Sequence, residues 1–255
     1  MDYININETS FWFKHKNLLN YHYDTQHEVL PGVAWGDYKL LFTPAYWKLQ
    51  YILHEKLNRS ITYKLGSNII EEIVACLLGG FGFKSELGIA AFDRLKKSNM
   101  LRTNISFDEI CNQLKSPFSI NNKLVHYRFY NQKAYYIYDF LNRDDLSNIP
   151  IHDDIQLRNW LMTVKGIGPK TASWITRNYL NSENVAIIDI HIYRAGVISG
   201  FISKNLNIQN DYFEIEKSFI NFCNAIKVKP SKMDALMWMQ MKSSNRIAIQ
   251  LINNI

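Results

Sequence analysis

Lys170 and Asp189 are the residues whose types and setting could do chemistry. Lys170 follows Gly166, Ile167, Gly168 and Pro169 within LRNWLMTVKGIGPKTASWITRN, residues 157–178. This run reads as a helix ending near Val164, a tight turn through two glycines, and a second helix with Pro169 at its first position. Glycine permits positive φ and lets backbone approach a ligand closely. The unpaired N–H groups that open the second helix suit a phosphate oxygen, so such a hairpin can grip a nucleic-acid backbone without reading sequence. A lysine in the first turn opposes the helix dipole, which favours its neutral amine, and a neutral amine is a nucleophile. The plainer reading is a helical hairpin with a glycine turn and a solvated lysine, because Gly-x-Gly is common.

Asp189 ends the apolar stretch of VAIIDIHIYRAG, residues 185–196, just before a helical run. It is a natural N-cap there. A carboxylate after a buried stretch could also face a cleft, with one oxygen capping and the other meeting a substrate.

A largely helical scaffold must position the pair. Ile69, Ile70, Ile73, Val74, Leu77 and Leu78 recur at helical spacing after a possible cap at Ser67. Ser106 and Glu109 form a capping-box pattern. Leu157, Trp160, Leu161 and Val164 keep the same period after Asp153 or Asp154. Further helices are expected over 43–57, 85–97, 131–141, 189–199, 210–226 and 231–241. Segment 1–42 is aromatic-rich and reads as short irregular structure. The expected fold class is all-α.

The 255 residues suffice for one large domain or two small ones, and 47% hydrophobic content can fill a core. A net charge of +6 favours a polyanionic partner. Cys76, Cys111 and Cys223 lack metal-ligand or redox spacing, so no metal site is expected. The N-terminal residues do not read as a signal peptide, and no apolar run could span a bilayer. A cytoplasmic protein without a membrane partner is expected.

With GIGPK and Asp189 together, the chain resembles the helix-hairpin-helix DNA glycosylase superfamily, which carries a Gly/Pro-rich loop and a catalytic Asp. The Lys170-to-Asp189 spacing resembles that of the 8-oxoguanine DNA glycosylases, in their compact bacterial and archaeal branch. The resemblance spans roughly residues 43–245. It implies that Lys170 attacks C1′ of the sugar and that Asp189 assists electrostatically. It also implies a phosphate near His191 and near the Gly166–Gly168 turn. VHYRFYNQKA, residues 125–134, resembles a family segment in which an aromatic wedges into the duplex and an arginine meets the orphaned base, which assigns Tyr127 and Arg128. GGFGF, residues 79–83, falls where the family has a second invading loop, so Phe81 or Phe83 could intercalate. Trp174, Asp234 and Trp238 fall at base-pocket positions. Each aromatic among these residues could equally be core, the commoner fate of Trp.

The resemblance further implies two helical lobes with a DNA- and base-binding cleft between them. One would hold 1–57 plus 181–255, and the other 58–180 with the hairpin. The expected partner is double-stranded DNA containing a modified base, bound by a monomer that needs no cofactor. The expected activity is excision of 8-oxoguanine with strand cleavage at the abasic site. One alternative is an antiphage defence glycosylase that removes a hypermodified cytosine such as glucosylated hydroxymethylcytosine. Others are a non-catalytic DNA-binding module and a purely structural helical protein.

Overall fold

The computed structural model describes residues 24–56, 64–80 and 84–255. Phe81 and Phe83 lie outside the described residues. Eleven α-helices and two short antiparallel ribbons make up most of the regular structure among them. The fold is helical, as the periodicity implied. No helix among the described residues is long and apolar enough to cross a membrane. The chain divides into two compact units, one running from Ser60 to Asp189 and the other combining the residues before it with Ile190–Ile255.

The middle unit is built on a stripe of buried aliphatic and aromatic side chains. Helix α2 (Ile69–Leu78) sends Ile73, Val74, Leu77 and Leu78 into this core. Its cap is Asn68, whose side chain accepts from Glu71 N, so the helix begins one residue later than a Ser67 cap would place it. Ser67 instead donates to the Glu71 carboxylate. Helix α3 (Ser85–Lys97) follows, then α4 (Phe107–Lys115) with the complete Ser106–Glu109 capping box. A ribbon of β3 (Phe118–Ile120) and β4 (Lys123–Val125) was not foreseen. Asn121 and Asn122, both at positive φ, form its two-residue turn. Helix α5 (Tyr130–Leu141), α6 (Asp154–Leu161, capped by Asp153) and α7 (Pro169–Leu180) complete the unit.

The other unit opens with a ribbon of β1 (Glu28–Leu30) and β2 (Val33–Ala34), followed by α1 (Pro44–Lys56). It continues with α8 (Ile190–Ser199), α9 (Tyr212–Ala225), α10 (Pro230–Ser243) and α11 (Asn245–Asn253). Phe42 stacks on Trp47, and Trp47 Nε1 donates to Ser199 Oγ at 3.0 Å. Ser199 Oγ in turn donates to Phe42 O at 2.6 Å. These bonds satisfy polar groups that burial of the two rings would otherwise strand.

The α6–α7 hairpin is locked onto α5 and the turn after it. Lys165 Nζ lies 2.5 Å from Asp139 Oδ1 and 3.0 Å from Tyr135 Oη. Arg143 donates to Thr163 O and Thr163 Oγ1, and its partner Asp145 accepts from Trp160 Nε1 at 2.8 Å. Ile167, 6% exposed, plugs the turn into the core.

The two glycines of the turn serve different needs. Gly166 takes φ +86°, and a Cβ there would overlap the ring of Tyr136. Gly168 has φ −98° and ψ −179°, open to any residue, and a Cβ there would meet nothing within 4 Å. Gly166→Ala should therefore cost roughly 1–3 kcal/mol of stability, from a strained φ added to overpacking. Gly168→Ala should stay within about 1 kcal/mol of the native protein. Urea denaturation of both variants measures the contrast, and equal losses would refute the division of roles.

Candidate active site

The turn hands the chain to α7 with no side-chain cap, since Gly168 occupies the N-cap and Pro169 the first helical position. The early N–H groups of the helix have no intrahelical acceptor. Lys170 stands in this first turn with half of its side chain exposed. At the far end of α7, Asn181 turns the chain in the left-handed region, and Ser182 N donates to Arg177 O. Asp154 Oδ2 then accepts from Ser182 Oγ at 2.6 Å and from Asn184 Nδ2 at 2.8 Å, which ties this bend to the start of α6. Val185, Ala186 and Ile188 are fully buried. The buried stretch delivers Asp189, its side chain only 11% exposed, back to the beginning of α7. Lys170 Nζ and Asp189 Oδ2 end 3.9 Å apart. An exposed amine beside a largely buried carboxylate, too far for a short hydrogen bond, suits attack on an electrophilic carbon. The carboxylate can then face the positive charge that develops there.

Trp174 lies one helical turn beyond Lys170 on α7 and is 36% exposed. In the other unit, His191 occupies the first turn of α8, and its ring meets that of Trp238 edge-on at 6.4 Å. Trp238 is 44% exposed, with Lys242 Nζ 4.5 Å from its ring centre. Asp234, one turn earlier on α10, is 2% exposed. Trp238 thus keeps a stacking surface, while the carboxylate on the same helix is buried. Among the described residues, no group of three or more His, Cys, Asp or Glu could hold a metal ion.

The Tyr127 assignment needs correction. Its ring is 1% exposed and belongs to the core of the middle unit, and its hydroxyl donates to Leu78 O. A ring held this way is not available to enter a duplex. Arg128 is exposed. The aromatic that reaches the surface is the next residue, Phe129, 40% exposed with the Arg128 guanidinium 5.1 Å from its ring centre. The sequence holds Tyr127, Phe129 and Tyr130 around one arginine, and no periodicity there says which ring faces inward. An open groove of about 540 Å³ runs beside these residues, lined among others by Arg128, Phe129, Asn131 and Tyr135.

Comparison with known proteins gives this arrangement a family. The model of the 8-oxoguanine DNA glycosylase family matches residues 54–228. An 8-oxoguanine DNA glycosylase/AP lyase of Metallosphaera sedula is 29% identical over 172 residues, which cover 66% of this chain and 78% of that protein. A protein of the same description from Fusobacterium nucleatum is 28% identical over 152 residues, covering 58% and 68% respectively. The crystal structure of the Methanocaldococcus jannaschii 8-oxoguanine DNA glycosylase superposes with a TM-score of 0.57 over 78% of this chain and 94% of that one. At 24% identity, that likeness bears on the fold. The family match takes in the hairpin, Lys170 and Asp189 and extends over most of the chain, so this protein belongs to the 8-oxoguanine DNA glycosylase family of the helix-hairpin-helix superfamily.

Proposed function

We propose that this DNA glycosylase excises 8-oxoguanine from duplex DNA and nicks the strand, with Lys170 as nucleophile and Asp189 as its electrostatic partner. The observation that carries the reading is the 3.9 Å approach of Lys170 Nζ to Asp189 Oδ2 at the uncapped start of α7. The Lys170 amine attacks C1′ of an extruded nucleotide as the bond from C1′ to the base breaks. The base leaves with the electron pair and takes up a proton. The N,O-acetal so formed opens to a Schiff base as the bond from C1′ to O4′ breaks and O4′ takes up a proton, and β-elimination then releases the 3′ phosphate of the sugar. Asp189 stabilises the positive charge on the sugar during the first step. No cofactor enters these steps.

The remaining residues divide between grip and choice. The Gly166–Gly168 turn, with the free N–H groups of α7, and His191 hold phosphates without reading sequence. Open space at Gly168 supports this role, because a side chain there would stand between the backbone and a phosphate. Trp174 and Trp238 each keep an exposed ring, a surface on which an unpaired base can stack. Asp234 is buried, so it accepts the N7–H that distinguishes 8-oxoguanine from guanine only when base binding uncovers its carboxylate. Arg128 reads the opposite base with its forked donors, and Phe129, not Tyr127, fills the gap in the stack. The enzyme acts as a monomer in the cytoplasm.

Borohydride should trap a covalent adduct between the protein and DNA containing its target base or an abasic site. Lys170→Gln should abolish the adduct, and an unchanged yield would place the nucleophile elsewhere. Asp189→Asn should slow single-turnover excision by roughly two or more orders of magnitude while duplex binding persists. Excision at the native rate would leave Asp189 a structural role only.

Substrate choice is decided by comparing 8-oxoguanine:C duplexes with phage DNA carrying glucosylated hydroxymethylcytosine. Release of 8-oxoguanine, with at least a tenfold loss in Asp234→Ala, is the expected result, as for a lost hydrogen bond to a charged group worth ~1.5–3 kcal/mol. Release of the cytosine adduct with 8-oxoguanine untouched would replace repair by antiphage defence. Failure to release either base or trap abasic DNA would leave a binding module.

A further inference from the structure

Three consecutive carbonyls close the C-terminal end of α2, and one short distant segment donates to all of them. Tyr127 gives its hydroxyl hydrogen to Leu78 O. Lys133 Nζ donates to Leu77 O at 2.5 Å and to Gly79 O at 2.9 Å. Carbonyls at a helix end have no intrahelical partner and carry the negative pole of its dipole, so an ammonium is well matched to them. Neither donor is free to wander. Tyr127 is 1% exposed, and Lys133 is half-buried, which pushes its amine below the usual lysine range.

Between the two anchors lies a turn. Tyr130 N donates to Tyr127 O at 3.3 Å, and Lys133 N donates to Phe129 O at 3.0 Å. Arg128 and Phe129 are the corner residues of this turn, and both face solvent. The residue that begins the turn is bolted to α2, and so is a residue in the first helical turn after it. A bare corner with two exposed side chains would open locally at little cost. Here it cannot move without breaking hydrogen bonds to the α2 carbonyls.

We propose that Tyr127 and Lys133 are positioning residues for recognition of the opposite strand, fixing the Arg128–Phe129 turn against the end of α2. The inference rests on the reading of Arg128 given above. Forked hydrogen bonding to a base edge is directional, so an arginine whose backbone shifts loses discrimination before it loses charge. A phosphate contact would behave in the opposite way, tolerating displacement and responding to salt.

The test measures single-turnover excision of the target base opposite each of the four bases, and the ratio of best to worst is the discrimination. Lys133→Met should lower that ratio by about tenfold, for loss of bonds from a charged donor, and Tyr127→Phe by about fivefold, for loss of one bond from a neutral hydroxyl. Lys133→Arg, which can still donate to carbonyls, should restore most of it. The salt dependence of duplex binding should not change. Tyr127→Phe in the Arg128→Ala background should cause no further loss, since the hydroxyl acts through the guanidinium. Thermal midpoints and circular dichroism keep folding separate from discrimination. Equal slowing opposite every base, or additive losses in the double variant, would show a structural role and overturn the proposal. If Arg128→Ala reduces discrimination while Tyr127→Phe and Lys133→Met do not, the positioning idea alone fails. If Arg128→Ala has no effect, the reading of Arg128 fails with it.

Discussion

The turn at Gly166 closes because that residue has no side chain. The ring of Tyr136 fills the space a Cβ would take, and the backbone there sits at φ +86°. Any larger residue would push the α6–α7 turn away from α5, on which much of it is fastened. Lys165 bonds to Asp139 and Tyr135, Arg143 reaches Thr163, and Asp145 holds Trp160. The exposed ion pairs among these are individually weak. Their value is geometric, since several bonds from α5 and the turn after it leave the hairpin turn a single position. The first turn of α7 inherits that position, and so does the backbone of Lys170.

The same economy explains how the Lys170 amine, the proposed nucleophile, is held without a tight partner. Lys170 keeps an exposed side chain on fixed backbone, while Asp189 arrives at the end of a buried stretch anchored through Asp154 to the start of α6. The carboxylate is therefore set by packing that does not depend on the lysine. At 3.9 Å the two attract, but no short hydrogen bond ties the amine to the carboxylate. Preorganisation of this kind places the cost of ordering the charges in the fold, before substrate arrives.

Much of the scaffold was legible because helices advertise themselves by period and by caps. Leu157 and Leu161 turn inward as their spacing implied, Ser106 and Glu109 form their box, and Pro169 opens α7. The short ribbon at 118–125 was not legible. Three-residue strands have too few alternations to show a period, and an Asn–Asn turn lacks the glycine that usually marks such hairpins. Helix α11 was missed because Ser244 separates it from α10 by one residue and its polar start resembles the end of a helix. The Tyr127 assignment failed for another reason. A motif match aligns residue types along the chain, but the inward or outward sense of adjacent rings depends on a turn, and here the hydroxyl found an acceptor at the end of α2.

Placing the buried tyrosine there changes what α5 does. Its N-terminal turn presents Arg128 and Phe129, its first helical turn carries Lys133, and farther along Tyr135, Tyr136 and Asp139 hold the hairpin. A helix of twelve residues spans about 18 Å at 1.5 Å per residue. The segment proposed to read the opposite strand and the hairpin proposed to grip phosphate are thus referenced to one rigid rod. Flexing between them would require bending α5 or stripping its buried face, which carries Ala134, Ile137, Phe140 and Leu141. Burying Ile137, Phe140 and Leu141 contributes ~1.5–3 kcal/mol each, well above thermal energy. The spacing between the Arg128–Phe129 turn and the α6–α7 hairpin is for that reason a property of the core.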